Sequence, residues 1–159
     1  MKTRTSPHAS LAAFTLVELA LALGLASFCL VSVFGLLSVG FTTSQAASAQ
    51  TSAQGLVSTI VSELRATAAQ ASTSQHLGLS IPPNPVTAPQ VASLYFTGSG
   101  VLSSAADPQA RYLATVTFLP NGAGEKAATL AQIKVSWPAA AKVENAAGKV
   151  SVFEALDRN

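Results

Sequence analysis

The most pronounced pattern in the chain is a predominantly apolar run over residues 14–41. Its only ionisable side chains are the carboxyl group of Glu18 and the thiol of Cys29. About 20 apolar residues suffice for a helix to cross a lipid bilayer. The run therefore predicts a membrane-spanning helix over residues 14–41.

The next segment, residues 42–71, is rich in Ser, Thr, Gln and Ala and contains no Pro. Its apolar residues recur with the spacing of one helix face. They are Ala53, Leu56, Val57, Ile60, Val61, Leu64 and Ala68. The pattern predicts that the helix continues to residue 71 and lays this apolar stripe on a sheet, with Glu63 and Arg65 exposed to solvent.

Residues 72–90 predict a loop, because neither a helix interior nor a central strand accommodates the four prolines of this segment. Residues 91–159 then show short stretches of alternating apolar and polar positions, separated by Gly, Pro and Asn. Three or four antiparallel strands are expected. The last should contain a bulge or end near Phe153 and Glu154, which break its alternation. The predicted fold class is α+β, with the long N-terminal helix packed on a small antiparallel sheet.

Glu18 is the residue whose position most needs an explanation. A carboxylate within a membrane segment finds neither water nor a partner in the hydrocarbon, so such residues usually serve a function. The alternative is a Glu at the headgroup boundary, solvated and without a role. The order Phe-Thr-Leu-Val-Glu ahead of an apolar span favours the functional interpretation.

These residues resemble the type IV prepilin and pseudopilin family. In that family a short basic leader is removed just before a Phe, which becomes the mature and usually N-methylated amino terminus. The resemblance implies a leader over residues 1–13, cleavage between Ala13 and Phe14, and N-methylation of Phe14. It also implies that the Glu18 carboxylate pairs with the Phe14 ammonium of a neighbouring subunit during assembly. The family strongly prefers Gly before the cut, where this chain has Ala13.

The resemblance also implies a set of partners: other pilin-like subunits, a prepilin peptidase, a methyltransferase, an assembly ATPase and its membrane platform protein. The expected function is that of a minor pilin-like or pseudopilin-like subunit of a type IV pilus or type II secretion-like filament. Lys2 and Arg4, with no acid among the first ten residues, are expected to hold the amino terminus in the cytoplasm. The C-terminal part would then be exported across the inner membrane.

Two C-terminal stretches resemble a narrower group of pilin-related proteins, the Verru_Chthon cassette protein B group. They are Lys134-Val135-Ser136-Trp137-Pro138, followed by an Ala-rich loop, and Val152-Phe153-Glu154-Ala155-Leu156-Asp157-Arg158. That group is known chiefly by its prepilin signal and gene context, so the resemblance implies an architecture and no particular activity. Trp137 alternates with its neighbours as a core residue does.

The charge and the cysteine content argue against nucleic-acid binding and against an intramolecular disulfide. The chain has nine basic and seven acidic residues, which gives a formal charge of +2. Two of the basic residues, Lys2 and Arg4, lie in the expected leader, so the remaining seven basic residues balance the seven acidic ones. A neutral mature chain argues against nucleic-acid binding, which requires clustered Lys and Arg. Cys29 is the single cysteine, so no intramolecular disulfide can form.

The residues expected outside the membrane offer no recognisable reaction centre. His76 has no Cys, Asp or Glu within ten residues, and Asp107 alone supplies too few oxygen ligands for a hard cation. No cofactor, metal or catalytic residue is expected, and the chain is not expected to be an enzyme. Two alternatives stay open: a monomeric, signal-anchored exported binding protein with an uncleaved leader, and an exported enzyme that uses His76 or Asp107.

Overall fold

A computed structural model describes residues 14–121, 128–141 and 143–158. The elements are α1 (Leu16–Ala66), β1 (Gln90–Thr97), β2 (Leu102–Ser103), β3 (Ala110–Phe118), β4 (Thr129–Trp137), a short 3₁₀ helix (Val143–Asn145) and β5 (Gly148–Leu156). The chain divides into two compact units between Thr43 and Ser44, and the sheet belongs to the second. The predicted α+β class, a long helix packed on a small antiparallel sheet, is confirmed.

The helix α1 ends at Ala66, whereas the sequence pattern predicts residue 71. Just beyond Ala66, the guanidinium of Arg158 donates hydrogen bonds to the carbonyls of Ala69 and Ala71 at 2.6 and 2.7 Å. These carbonyls therefore bond to a distant side chain and not to the amides of a further helical turn. The composition of residues 67–71 is compatible with a helix, and the sequence pattern does not mark the end at Ala66.

The five strands form one antiparallel sheet in the order β2-β1-β3-β4-β5. The alternating pattern predicts β1, β3, β4 and β5, and the two-residue β2 is an addition to them. The turn after β1, with Gly100 at a φ of 82°, returns the chain so that Leu102 pairs with Phe96. This left-handed backbone conformation carries little cost for glycine and more for other residues.

The apolar stripe of α1 packs on one face of the sheet. Ile60 is fully buried, and Leu56, Val57 and Leu64 are at most 6% exposed. Alternate positions of the four long strands complete the core from the other side: Leu94, Phe96, Tyr112, Ala114, Val116, Phe118, Ala131, Ile133, Val135 and Leu156. The helix repeat of 3.6 residues and the strand repeat of two account for this division of buried positions.

The prediction that the last strand contains a bulge or ends near Phe153 and Glu154 is wrong. β5 pairs with β4 over nine consecutive residues without a register shift, so Phe153 and Glu154 continue the alternation. Phe153 faces solvent with 63% of its surface exposed. Glu154 lies on the helix side, where it accepts a hydrogen bond from Arg65 Nε at 2.7 Å. A charged residue can occupy this inward position because Arg65, which was expected to be only solvated, supplies its partner.

Trp137 lies at the end of β4 and is partly buried against the core. Its ring meets that of Tyr112 edge to face, with the centroids 6.1 Å apart and the planes at 65°. Aromatic pairs favour this arrangement because the positive edge of one ring meets the negative face of the other. The expectation that Trp137 packs as a core residue is met in part, since its side chain packs against the core but is only partly buried.

Candidate membrane and assembly segment

The first turn of α1 carries a capping box formed by Thr15 and Glu18. The Thr15 side-chain oxygen accepts a hydrogen bond from the Glu18 amide at 3.2 Å, and the Glu18 carboxylate accepts one from the Thr15 amide at 3.4 Å. Both amides belong to the helix start, where intrahelical acceptors are lacking. The negative charge also lies in the first turn, where the helix dipole favours it.

This local role of Glu18 and its partner Thr15 was not among the sequence-based expectations, although a signal for it is present. A Thr followed three residues later by a Glu, ahead of an apolar run, is the sequence signature of a capping box. The hydrogen bonds satisfy amide groups, but they bring no positive charge to the carboxylate. The capping role and the helix dipole therefore favour an acidic acceptor at this position, but neither supplies a full positive charge to pair with it.

The surface that follows this first turn is almost entirely apolar. We call residues 14–41 the apolar segment, and each of them is exposed. Its large side chains are between 47% and 83% exposed: Phe14, Leu16, Val17, Leu19, Leu21, Leu23, Leu25, Phe28, Leu30, Val31, Val33, Phe34, Leu36, Leu37, Val39 and Phe41. Soluble proteins seldom expose a contiguous apolar surface of more than a few hundred Å². A surface of this kind is suited to contact with lipid or with apolar partners.

Length and composition make α1 a helix that could cross a membrane. The apolar segment is about 42 Å long at about 1.5 Å per residue, which exceeds the hydrocarbon thickness of about 30 Å. Two of its hydroxyl groups are satisfied within the helix, since Ser27 Oγ donates to the Leu23 carbonyl at 2.7 Å and Ser32 Oγ to the Phe28 carbonyl at 2.9 Å. Transfer of a hydroxyl group into hydrocarbon costs less free energy when the hydroxyl already donates a hydrogen bond within the helix.

The predicted processing site lies at the edge of the described residues. The leader 1–13, including Ala13, falls outside them, whereas Phe14 directly precedes the capping box and is 83% exposed. The box uses the amide of Thr15 and not that of Phe14. Both capping hydrogen bonds would therefore keep their donor groups after cleavage between Ala13 and Phe14.

Glu63, near the C-terminal end of α1, and His76, in the loop that follows, make structural contacts with each other. The Glu63 carboxylate accepts a hydrogen bond from the His76 amide at 2.7 Å, and His76 Nδ1 lies 3.0 Å from its other oxygen. The bond from the His76 amide, followed by the contact with its ring, lowers the pKa of Glu63. Glu63, expected to be only solvated, and His76 therefore fasten the loop after α1 to the helix.

Asp107 holds the turn between β2 and β3. Its carboxylate accepts hydrogen bonds from the Ser103 hydroxyl and from the Gln109 amide, the latter at 2.8 Å. The bond from Ser103, and secondarily that from Gln109, lowers the pKa of Asp107. Among residues 14–121, 128–141 and 143–158, no three His, Cys, Asp or Glu side chains come together in a way that could hold a metal ion.

The geometry thus joins one acidic capping residue to a long exposed apolar surface at the start of α1. It does not bring His76 and Asp107 into a common site, because each is engaged with its own local partners. Comparisons of the chain with protein-family models, with curated proteins and with solved structures find no match.

Proposed function

We propose that this chain is a minor pilin-like or pseudopilin-like structural subunit of a bacterial type IV pilus or type II secretion-like filament. The observation that carries the proposal is the exposed apolar segment with a single carboxylate, Glu18, in its first turn. The apolar segment inserts into the inner membrane with its amino terminus in the cytoplasm. The second compact unit is exported and presents its sheet outside.

The charge of Glu18 distinguishes this helix from a simple anchor. Translocon insertion scales place the cost of a charged residue at the centre of a membrane helix at about 2.5–3.5 kcal/mol. The hydrogen bonds from Thr15 stabilise the carboxylate in part, but both donors are neutral groups and supply no counter-charge. A peptidase cut between Ala13 and Phe14 creates an ammonium four residues before Glu18. Pairing that ammonium with Glu18 of a neighbouring subunit removes two charges from the membrane together.

Assembly through the apolar segment exchanges lipid for neighbouring helices and keeps its side chains in apolar surroundings. Ala20, Ala22, Gly24 and Ala26 are small residues in the half of the segment that follows Glu18. Small residues let membrane helices approach closely, so that dispersion contacts between backbones can stabilise association. The ion pair between Glu18 and the Phe14 ammonium of a neighbouring subunit then fixes the axial position of one subunit relative to the next.

The experiment that tests this function separates the charge of Glu18 from its capping role. Glu18→Gln removes the charge but keeps an acceptor for the Thr15 amide, since Gln also serves in capping boxes. Thr15→Ala is the matched control, because it removes the capping hydroxyl and leaves the carboxylate. We expect both variants to insert into the membrane, and only Glu18→Gln to lose incorporation into cross-linked subunit arrays in cells.

Normal incorporation of Glu18→Gln together with loss of incorporation of Thr15→Ala would show that capping alone explains Glu18. A full-length wild-type chain that stays monomeric in the membrane would instead support the signal-anchored binding protein. Cross-linking in intact membranes, followed by size analysis in denaturing gels, distinguishes these outcomes.

A further inference from the structure

A cavity lies beyond the end of α1, in the second compact unit. Its volume is about 500 Å³, and its lining includes residues 69–72, Ile81, Pro83 and Arg158. Small-molecule sites in proteins commonly have volumes of about 300–1,000 Å³. The lining combines polar side chains (Gln70, Ser72 and Asn84), aliphatic side chains and one positive charge. None of these groups belongs to the apolar segment.

Arg158 is the unusual member of this lining. Only 8% of its surface is exposed, and burial lowers the pKa of its guanidinium, although arginine remains charged at neutral pH. Its Nη2 donates to the carbonyls of Ala69 and Ala71 at 2.6 and 2.7 Å. Its Nε is buried and has no hydrogen-bond partner within the described part of the chain.

Arg158 also lacks a counter-charge among the described residues, where the ion pairs join Arg65 to Glu154 and His76 to Glu63. Arg65 shows the more usual situation. Its Nη2 lies 2.6 Å from a Glu154 oxygen, and its side chain is 65% exposed. A buried charge that is neither paired nor fully hydrogen-bonded is costly, because it has lost its hydration without replacement.

The contacts with Ala69 and Ala71 explain only part of this arrangement. They fasten the segment that contains Arg158 to the segment after α1. A cation that bonds to carbonyl groups beyond the C-terminal end of a helix is favoured, but carbonyl oxygens carry only partial negative charges. The contacts therefore favour a positive donor at this position and supply no full counter-charge to it.

We propose that the Arg158 cavity binds a small organic carboxylate. The anion supplies the counter-charge that Arg158 lacks among the described residues, and its oxygens accept N–H groups of the guanidinium that Ala69 and Ala71 leave unused. A short hydrocarbon tail on the same molecule lies against Ile81 and Pro83. The site is independent of Glu18 and Phe14, so its test does not bear on assembly.

The experiment uses the full chain, labelled with ¹⁵N, in detergent micelles. The ¹H–¹⁵N signal of Arg158 Nε is followed while sodium propionate is added. Sodium chloride at equal ionic strength and propionamide, a neutral molecule of nearly the same shape, are the controls. Replacing the other arginines singly by Lys assigns their signals, so that Arg158 is assigned in a chain that retains it.

We expect propionate to move the Arg158 signal in a saturable manner, with half-saturation in the low millimolar range, and to leave the Arg65 signal in place. We also expect propionate to raise the melting temperature of the wild type and not that of Arg158→Gln. The proposal is overturned if propionate does not change the chemical shift of the Arg158 Nε signal, or if chloride or propionamide changes it equally. Should Arg158→Gln fail to fold, the titration of the wild type decides alone.

Discussion

Gly148 lies directly opposite Trp137 in the ladder between β4 and β5. A Cβ atom built on Gly148 would come within 2.1 Å of the indole Cζ2 atom of Trp137. Real Cβ atoms do not approach other heavy atoms so closely. The indole therefore occupies the space that a side chain at Gly148 would fill, and this glycine is required for packing at this end of β4.

We expect Gly148→Ala to lower the free energy of unfolding by about 1–3 kcal/mol, since the added methyl group forces the Trp137 ring out of its position. Gly55→Ala is the matched control. Gly55 lies on an exposed helix face with nothing within 4 Å of its added Cβ, and this change should stabilise by about 0.5–1 kcal/mol. Denaturant unfolding of the full chain in micelles measures both. Equal stability of Gly148→Ala and the wild type would contradict the packing described.

The interior of the second compact unit provides another prediction. Ile60 is fully buried at the centre of the helix stripe, so Ile60→Ala should lower the free energy of unfolding by about 2–5 kcal/mol through lost burial and the cavity left behind. Thr59→Ala changes the neighbouring exposed position and should stay within about 0.5 kcal/mol. If both variants unfolded at the same denaturant concentration, α1 would not lie on the sheet through this face.

The contact between Glu63 and His76 predicts a dependence of stability on pH. Because the folded state lowers the pKa of Glu63, its contribution is fully present above pH ~4.5 and is lost as the pH falls through the lowered value. Glu63→Gln should therefore reduce the loss of stability between about pH 4.5 and 3. A residual slope is expected from Asp107, whose pKa is also lowered.

The control for this pH prediction is Glu144→Gln, which changes an exposed glutamate of the 3₁₀ helix. It should leave the acid part of the stability curve as in the wild type. Melting temperatures recorded in steps from pH 6 to pH 3 provide the comparison. An unchanged acid slope in Glu63→Gln would mean that the hydrogen bonds from His76 contribute nothing to folding.

The processing site offers a prediction of a different kind. The resemblance to prepilins places a Gly immediately before the cut, where this chain carries Ala13. We expect Ala13→Gly to raise the processed fraction in cells that express the peptidase, and a bulky Ala13→Leu to abolish processing. Gel mobility or intact mass after a pulse of synthesis measures the fraction. Equal processing of all three chains would mean that the peptidase does not act at this bond.

The regular repeats in the sequence were sufficient to predict much of the fold. Helical spacing alone places Leu56, Ile60 and Leu64 together, and these positions define the buried face of α1. The alternation around Tyr112 and Val135 does the same for β3 and β4. Local periodicity determines these elements, and the structure places them as predicted.

The features that escaped prediction depend on contacts between distant residues. The segment that follows α1 is held by Arg158, which lies 89 residues after Ala69. The inward position of Glu154 depends on Arg65, also 89 residues away. The capping box is the exception, since Thr15 and Glu18 are three residues apart and its sequence signature is local.

The central claim is that the Glu18 charge meets a positively charged amino terminus at Phe14, and this requires that the terminus exist. The most direct measurement is the mass of the N-terminal peptide of the protein isolated from the membranes of its own cells. The account predicts a chain that begins at Phe14 with an N-methyl group. A chain that begins at Met1 and carries the intact leader would contradict it, because Glu18 would then have no ammonium partner in a neighbouring subunit.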